Sequence, residues 1–245
     1  MGAFKPIRQF RFSQQVLSQL KESILIGKFK SGEKLPSERE LTEEFQVSRG
    51  VIREAIRILE ITGFVVLRQG PTGGAFVTDL SFDHVGNSFL DLFLTNKVSI
   101  PELANVRLYI EPEVARLAAL RATKEDKKRL LEAQEEEFLS VTTTTARINQ
   151  FQKVHRVIAE SCQNHFYEAI SKSMLRLTYE VVEAVDPDHE ALHMPGEHNK
   201  IIEAVIGANA EAAKAEMTAH MEKFCKSLLE METAYRQKAP MALSV

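Results

Sequence analysis

Hydrophobic and polar residues are arranged in two different ways along this chain, and the change falls near residue 80. Before it, three short segments have the three- and four-residue spacing of amphipathic helices, and two β-rich segments follow around a cluster of glycines. After it, almost every segment up to about residue 237 has helical spacing. The pattern therefore predicts a mainly α protein, with one small β-hairpin confined to the N-terminal part.

The same change of pattern predicts two domains. We expect an N-terminal domain over 1–78, a linker over 79–83, an all-helical bundle over 84–237 and a flexible tail over 238–245. Charge divides the chain in a similar way: residues 1–80 carry 12 Lys and Arg against 9 Asp and Glu, and the remainder carries 19 against 25. A basic module joined to an acidic one fits a nucleic-acid-binding domain attached to a sensor.

Composition is that of a soluble globular protein, with 44% hydrophobic and 27% charged residues. No apolar run approaches the roughly 18 residues of a membrane span, and the basic N-terminus lacks the apolar core of a secretory signal. Cys162 and Cys225 do not have the spacing of a metal motif, which fits two reduced thiols. We therefore expect a cytoplasmic protein with no membrane partner.

The N-terminal helices have the spacing of a helix-turn-helix. Ser37 and Glu40 form a capping box that would begin a short helix over 38–45. Ser48 is then a good N-cap for the next helix, which ends before Gly63. A short helix, a tight turn and a second helix is the pattern by which many proteins bind the major groove of DNA.

The second of these helices separates its faces cleanly. At 100° per residue its apolar residues share one arc, and Arg49, Arg53 and Arg57 lie on another. Guanidinium groups match phosphate oxygens and the edge of guanine, so this row suits DNA binding. A β-hairpin over 64–68 and 74–77 would follow, with a glycine-rich tip that can approach the DNA backbone. An ordinary solvated face is the alternative, but the flanking capped helix and glycine-rich hairpin favour DNA.

The residues of this region also form a recognisable motif. It consists of GKFKSGEKLPSEREL at 27–41, VSR at 47–49, VIREA at 51–55, and LE at 59–60 with Gly63. These segments resemble the signature of the GntR family of winged-helix regulators. The resemblance implies that Arg39, Ser48, Arg49 and Arg53 bind DNA, and that Gln69 and Gly70 of the hairpin tip reach the minor groove.

Histidines are the chemically informative residues of the C-terminal domain. His155, His198 and His220 fall on the apolar faces of three different predicted helices. The others fall at boundaries or in predicted loops: His84, His165, His189 and His193. A buried imidazole must find a partner, and a shared Zn²⁺ or Ni²⁺ would serve all three. The alternative is three separate core histidines, each with its own hydrogen-bond partner.

A second resemblance bears on the same residues. VRLYIEP at 106–112 and ARLAA at 115–119 look like the start of the helical ligand-binding domain of the FadR branch, the FCD domain. His155 with Asn164, the pair at 197–198, and His220 fall where that domain has recurring residues. The resemblance implies a divalent metal held by three histidines and one acidic residue. It also implies a small organic acid as effector, bound at or beside the metal.

One position departs from that pattern, and it leaves the metal site open. The acidic ligand is expected one turn before the first histidine, where this chain has Phe151, and a phenyl ring cannot coordinate. Three alternatives follow. Water or effector could complete the coordination of a metal held by three histidines, or the site could bind metal more weakly. The effector pocket could also hold no metal. Arg107 and Asn164 are the predicted effector contacts. For Arg107 the reason is that a guanidinium can donate two parallel hydrogen bonds to a carboxylate. A helix-surface salt bridge with Glu111 is the alternative for Arg107.

The sequence thus predicts a transcription regulator that binds a palindromic DNA operator as a homodimer and responds to a small carboxylate effector. Repression is the expected mode, and activation stays open. The competing function is a metalloenzyme in which three histidines and an open position activate water. We find no HExxH spacing and no Ser-His-Asp arrangement, so we predict no enzymatic activity.

Overall fold

The protein consists of two compact units, 1–84 and 85–245, in a computed structural model that describes residues 9–79, 83–187 and 193–242. The division falls close to the predicted linker, of which residues 80–82 lie outside the described residues. The exact domain boundaries therefore stay a prediction, and each unit is described by itself.

Residues 9–79 form a helical unit that ends in a β-hairpin. Its elements are α1 (Gln9–Leu25), α2 (Glu38–Phe45), α3 (Arg49–Ile61), β1 (Val65–Arg68) and β2 (Gly74–Val77). The strands are antiparallel, with Val65 opposite Val77 and Arg68 opposite Gly74. Helix α2 has the predicted bounds, and the winged helix-turn-helix architecture is confirmed. We call the loop between the strands, 69–73, the wing tip.

Local hydrogen bonds explain where α2 and α3 begin. The Ser37 hydroxyl accepts from the Glu40 amide at 3.2 Å, and the Glu40 carboxylate accepts from the Ser37 amide at 2.7 Å. Both halves of the predicted capping box are therefore present. Gln46 caps the C-terminus of α2 and has a left-handed backbone conformation, with φ 53°. Helix α3 then starts behind Ser48, whose hydroxyl accepts from the Val51 amide.

A single apolar core holds this unit together and fixes the direction of α3. The apolar residues of α3 are buried among those of the other elements: Val51, Ile52, Ala55, Ile56 and Leu59. Leu20 of α1 and Val65 of β1 belong to the same core. Because this face is buried, the opposite face of α3 must point to solvent.

The C-terminal unit is all-helical in its described part, as predicted. Its helices are α4 (Asp83–Leu94), α5 (Ile100–Arg121), α6 (Lys124–Glu137), α7 (Thr144–Ser161), α8 (His165–Val185), α9 (Asn199–Ile206), α10 (Ala210–Glu230) and α11 (Glu232–Ala242). Helix α11 continues past residue 238, where a flexible tail was predicted, and residues 243–245 lie outside the described residues. Among the described residues, no helix combines the length and the apolar character needed to cross a membrane.

Helix α5 lies at the centre of this bundle. It packs along α10 and also contacts α7, α8 and α9, while α7 lies between α6 and α8. The α5 surface is accordingly buried on several sides, and its buried residues include two charged ones, Arg107 and Glu111. Buried charges need partners, so these two residues lead directly to the chemistry of the unit.

We predict that Ser37→Ala weakens the start of α2 by about 1 kcal/mol, because the substitution removes the hydroxyl that accepts from the Glu40 amide. Amide exchange in α2, followed by mass spectrometry, should then be about fivefold faster. Ser31→Ala, an exposed serine in the preceding loop, is the matched control and should leave exchange in α2 unchanged. Equal exchange in both variants would contradict the capping role.

Candidate DNA-binding surface and metal centre

The predicted DNA-binding side chains of α3 are exposed. Arg49, Arg53 and Arg57 point away from the core, and Ser48 is exposed at the first turn. An open groove between α3 and the hairpin is lined in part by Arg53, Arg57 and Gly74. Two arginines of the row, Arg53 and Arg57, therefore border the same groove as the tip end of the hairpin.

Two of the predicted DNA-binding arginines have acidic neighbours on the surface. Arg53 Nε lies 2.8 Å from a Glu38 carboxylate oxygen, and Arg39 Nε lies 3.3 Å from a Glu43 oxygen. All four side chains are exposed, so each ion pair is screened by water and contributes little to stability. A phosphate can therefore replace either carboxylate at low cost.

The wing tip has a backbone that favours glycine. Gly70 has φ 104°, and a Cβ on Gly73 would lie 2.4 Å from the carbonyl oxygen of Arg68. Gln69 and Gly70, the predicted minor-groove contacts, are both exposed. The Arg68 guanidinium lies 4.3 Å from the centre of the Phe76 ring, which braces the hairpin beside the tip.

The structure brings the three predicted metal-binding histidines together inside the C-terminal unit. His155 comes from α7, His220 from α10, and His198 is the residue just before α9. His155 Nε2 lies 3.0 Å from His198 Nε2 and 3.2 Å from His220 Nε2. All three rings are buried. We call them the histidine cluster.

A fourth histidine, assigned to a loop in the sequence analysis, joins this cluster. His193 is buried, and its Nε2 lies 3.1 Å from His198 Nε2. The loop folds back because residues 195–198 make a turn in which Gly196 has φ 87°. Helical periodicity could not find His193, but the Pro-Gly turn between two histidines five residues apart was a usable signal. Of the other histidines, His165 is exposed, and the side chains of 84 and 189 lie outside the described residues.

Two buried glutamates contact the outer ring nitrogens of the cluster, which are the Nδ1 atoms. His155 Nδ1 contacts the carboxylate of Glu111, and His198 Nδ1 contacts that of Glu137. Glu137 also accepts a hydrogen bond from the Gly196 amide at 3.3 Å. A carboxylate on the Nδ1 of an imidazole fixes the ring orientation and directs Nε2 to the opposite side. Sequence reasoning did not assign Glu137 to the site, and it considered Glu111 only as the partner of Arg107 in an alternative surface salt bridge.

Burial and neighbouring charges set the protonation states. Burial would raise the pKa of Glu111, but Arg107 and His155 outweigh it and lower that pKa to about 2. Burial raises the pKa of Glu137 to about 7. Burial, and then the neighbouring imidazoles, lower the pKa of His193 to about 2 and those of His198 and His220 well below the usual value. These three rings are therefore neutral at pH 7, the form that binds metals.

Arg107, a predicted effector contact, lies behind the cluster. Its Nε donates to Glu111 at 2.6 Å, and its Nη1 donates to the Thr178 hydroxyl at 3.0 Å. The guanidinium also lies 4.7 Å from the centre of the Phe224 ring. The alternative pairing with Glu111 is thus present, but its expected place on the helix surface is wrong because α10 and α8 cover this face of α5.

Asn164, the other predicted effector contact, lies at the N-terminus of α8. Its side-chain oxygen accepts hydrogen bonds from the amides of Phe166 and Tyr167, at 3.1 and 3.2 Å. It is therefore a helix cap. In the described part of the chain, it is not among the residues that hydrogen-bond to the histidine cluster.

Phe151 closes one side of the cluster. It lies one turn before His155 on α7 and is buried. Its ring stacks on that of His193, with centroids 4.1 Å apart and an interplanar angle of 24°. The position where the resemblance implied an acidic ligand thus holds a ring that packs on an additional imidazole.

The donor set fits a divalent transition metal. Two nitrogens bound to one tetrahedral ion at about 2.0–2.1 Å lie about 3.3 Å apart, and the Nε2–Nε2 distances here are close to that, at 3.0–3.2 Å. Imidazole nitrogens suit Zn²⁺ and similar ions, and the carboxylates on Nδ1 are the usual second layer of such sites. The described residues therefore contain a cluster that could hold a metal.

Comparison with known proteins agrees with both halves of this description. Residues 12–77 match the family described as bacterial regulatory proteins, gntR family, and residues 102–223 match the FCD domain. The Uxu operon transcriptional regulator of Escherichia coli K12 is 30% identical over 226 residues, which cover 89% of this chain and 86% of that protein. The transcriptional repressor NanR of Cronobacter sakazakii is 31% identical over 204 residues, which cover 80% of this chain and 74% of that protein.

A solved structure shares the fold. The GntR protein of Streptococcus agalactiae aligns with a TM-score of 0.64 and 23% identity, over 87% of this chain and 99% of that one. The families and relatives are transcriptional regulators and not enzymes. The chain therefore belongs to the gntR family of bacterial regulatory proteins, as a transcriptional regulator whose helix-turn-helix binds DNA and whose C-terminal unit is an FCD effector-binding domain.

Proposed function

We propose that this regulator is a cytoplasmic repressor that binds a palindromic operator as a homodimer and responds to a small carboxylate at a metal in its histidine cluster. The observation that carries the sensing half is the convergence of buried imidazole nitrogens at 3.0–3.2 Å. The row of exposed arginines on α3 supports the DNA-binding half. One relative, NanR, is described as a repressor, which supports that mode here.

In the proposed complex, α3 enters the major groove with Arg49 and Arg53 towards the bases or the flanking phosphates. Arg39 leaves its ion pair with Glu43, and Arg53 leaves its ion pair with Glu38. Both guanidinium groups then pair with phosphate oxygens. The wing tip, with Gln69 and Gly70, approaches the adjacent minor groove. Two copies related by a twofold axis then place two recognition helices on inverted half-sites.

The C-terminal unit offers a surface for the second copy. Large apolar side chains remain exposed on helices α4 and α5, which follow one another along the chain, among them Phe89, Leu92 and Tyr109. Tyr109 is 74% exposed, and exposed apolar side chains mark protein interfaces where they form one patch. Dimerisation through this unit would set the distance between the two recognition helices.

The metal, Zn²⁺ or Ni²⁺, would be held by His155, His198 and His220 through Nε2. When bound, it supplies a positive centre that attracts a carboxylate. Glu111 and Glu137 orient two of these rings, and Arg107 holds Glu111 in place. Arg107 can also contribute positive charge towards an anionic effector. We leave Asn164 out of the proposed effector site, because its side chain caps α8.

Effector binding would change DNA affinity by shifting the equilibrium between dimers that match the half-site spacing and dimers that do not. A ligand changes an equilibrium only by the difference in its affinity for the two states. The effector must therefore bind more tightly to dimers whose recognition helices do not match the half-site spacing. The histidine cluster suits this role because it joins α7, α9 and α10, so a ligand there acts on several helices together.

The first prediction from the proposed function concerns DNA. Full-length protein should enrich an inverted repeat from a pool of random duplexes, with an affinity that falls steeply as salt rises. Arg49→Ala should weaken binding to that duplex about ten- to hundredfold if it contacts a base, or lower the salt slope by about one if it contacts a phosphate. Arg156→Ala, an exposed arginine of the C-terminal unit, is the control and should change neither. Enrichment of no inverted repeat would contradict the dimeric operator.

The second prediction concerns metal content. Protein purified without a histidine tag should contain about one equivalent of transition metal by elemental analysis. A His155→Ala, His198→Ala, His220→Ala triple variant should contain none, since it lacks three converging nitrogens. A chelator should lower the melting temperature of the parent, because an ion that binds only the folded state stabilises it. A parent that takes up neither Zn²⁺ nor Ni²⁺ would overturn the metal proposal.

The third prediction concerns the effector. A panel of 2-hydroxy and 2-oxo carboxylates should contain a compound that releases the metal-loaded protein from the selected duplex. The metal-free triple variant should still bind the duplex but should not respond to that compound, because the DNA-binding residues lie in the other unit. Fluorescence anisotropy of labelled duplex measures both. An unchanged response in the triple variant would place the effector away from the histidine cluster.

A further inference from the structure

His193 is buried beside the histidine cluster, although it comes from the loop before α9. Its Nε2 faces His198 Nε2 at 3.1 Å, and a ligand nitrogen of the ring lies within 4.8 Å of one on His220. On the other side of the ring, Nδ1 faces the carbonyl oxygen of Met194 at 3.1 Å. A carbonyl oxygen can only accept, so the proton of this neutral ring resides on Nδ1. The Nε2 of His193 therefore presents a lone pair to the cluster.

His155 directs a second ring nitrogen to the same place. Its Nδ1 faces the carboxylate of Glu111, which Arg107 joins in a buried salt bridge, so Nε2 is the nitrogen that faces the other rings. The Nε2 atoms of His155 and His193 then both face His198 Nε2, at 3.0 and 3.1 Å. A proton on His198 Nε2 could satisfy one of them but not both. A cation among the rings satisfies all of them at once.

Phe151 explains why His193 can occupy this place. Residues four apart on a helix share a face, so position 151 lies beside His155 and next to the cluster. The buried phenyl ring has no donor atom, and it stacks on the His193 ring at 4.1 Å. Stacked aromatic contacts of this kind hold a ring plane in one orientation. The contact leaves the His193 ring few alternatives to the orientation that directs Nε2 into the cluster.

We propose that His193 is a fourth protein ligand of the metal and that Phe151 is a positioning residue that holds its ring. This inference rests on the proposed metal centre and adds to its ligand set. It also has a consequence for the effector class. Imidazole ligands carry no negative charge, so a divalent ion held by four of them attracts an anionic ligand strongly, with the Glu197 carboxylate nearby at 3.6 Å from His193 Nδ1.

Metal affinity tests the ligand role directly. Full-length parent, His193→Ala and His193→Gln would be titrated with Zn²⁺ against a chromophoric chelator, and with Co²⁺ while its visible absorption is recorded. We expect both variants to bind Zn²⁺ at least tenfold more weakly and to give a different Co²⁺ spectrum, because one nitrogen has left the ion. His165→Ala, which removes an exposed histidine, is the control and should match the parent in both measurements.

A compensating substitution separates loss of a ligand from loss of structure. His193→Ala with Phe151→Asp removes the imidazole and places a carboxylate one turn before His155. We expect this double variant to recover most of the Zn²⁺ affinity lost in His193→Ala. Phe151→Leu keeps an apolar side chain but loses the stacking, and we expect an altered Co²⁺ spectrum while the melting temperature of the metal-free protein falls by only about 2–5 °C, the cost of a small cavity.

The outcomes distinguish this inference from the proposed function. If the parent binds Zn²⁺ and both His193 variants keep the parent affinity and Co²⁺ spectrum, His193 is not a ligand and the three-histidine centre stands. If the parent binds no metal under any of these conditions, the proposed metal centre fails, and the fourth ligand fails with it. A Phe151→Leu spectrum identical to that of the parent would overturn the positioning role alone.

Discussion

Buried imidazole rings in an apolar helical bundle impose a strict condition on the C-terminal unit, because each ring nitrogen that leaves water needs a partner. The bundle meets this condition on the outer side of the cluster with oxygen acceptors. Glu111 and Glu137 face the Nδ1 atoms of two rings, and a backbone carbonyl faces that of His193. The inner nitrogens face one another instead. An ion shared among them is the simplest arrangement that satisfies the inner side as well as the outer.

The residues that contact the histidine cluster also make buried contacts with other helices of the bundle. Glu111 is a buried charge, and it is stable there because Arg107 on the same helix pairs with it. Arg107 in turn contacts Thr178 of α8 and the Phe224 ring of α10. A change at the inner nitrogens therefore reaches helices α5, α8 and α10 through direct contacts. This connectivity is the property that a sensor requires.

The N-terminal unit could be predicted almost completely from sequence, because its signals are local. Ser37 with Glu40, and Ser48 three residues before Val51, mark helix starts by contacts within one turn. The arginine row of α3 follows from helical periodicity alone, since the buried face determines the exposed one.

The candidate metal centre could be predicted where its residues lie on, or directly before, a regular helix. His155, His198 and His220 were each found by their place among apolar neighbours at helical spacing. His193 was missed because it lies in a loop, where no period predicts which way a side chain points. The alternative role of Arg107, a salt bridge with Glu111, was placed on the helix surface because sequence shows the spacing of the two residues but not the helices that cover them.

The most direct test of the proposed metal centre is a crystal of metal-loaded protein measured on both sides of the absorption edge of that metal. A four-histidine centre predicts one anomalous peak per chain, within bonding distance of the Nε2 atoms of His155, His198 and His220, with His193 Nε2 as the fourth nitrogen. A histidine cluster without a peak, in protein grown with excess Zn²⁺ or Ni²⁺, would contradict it. The inner nitrogens would then be joined by shared protons, and the effector site would have to be sought elsewhere in the bundle.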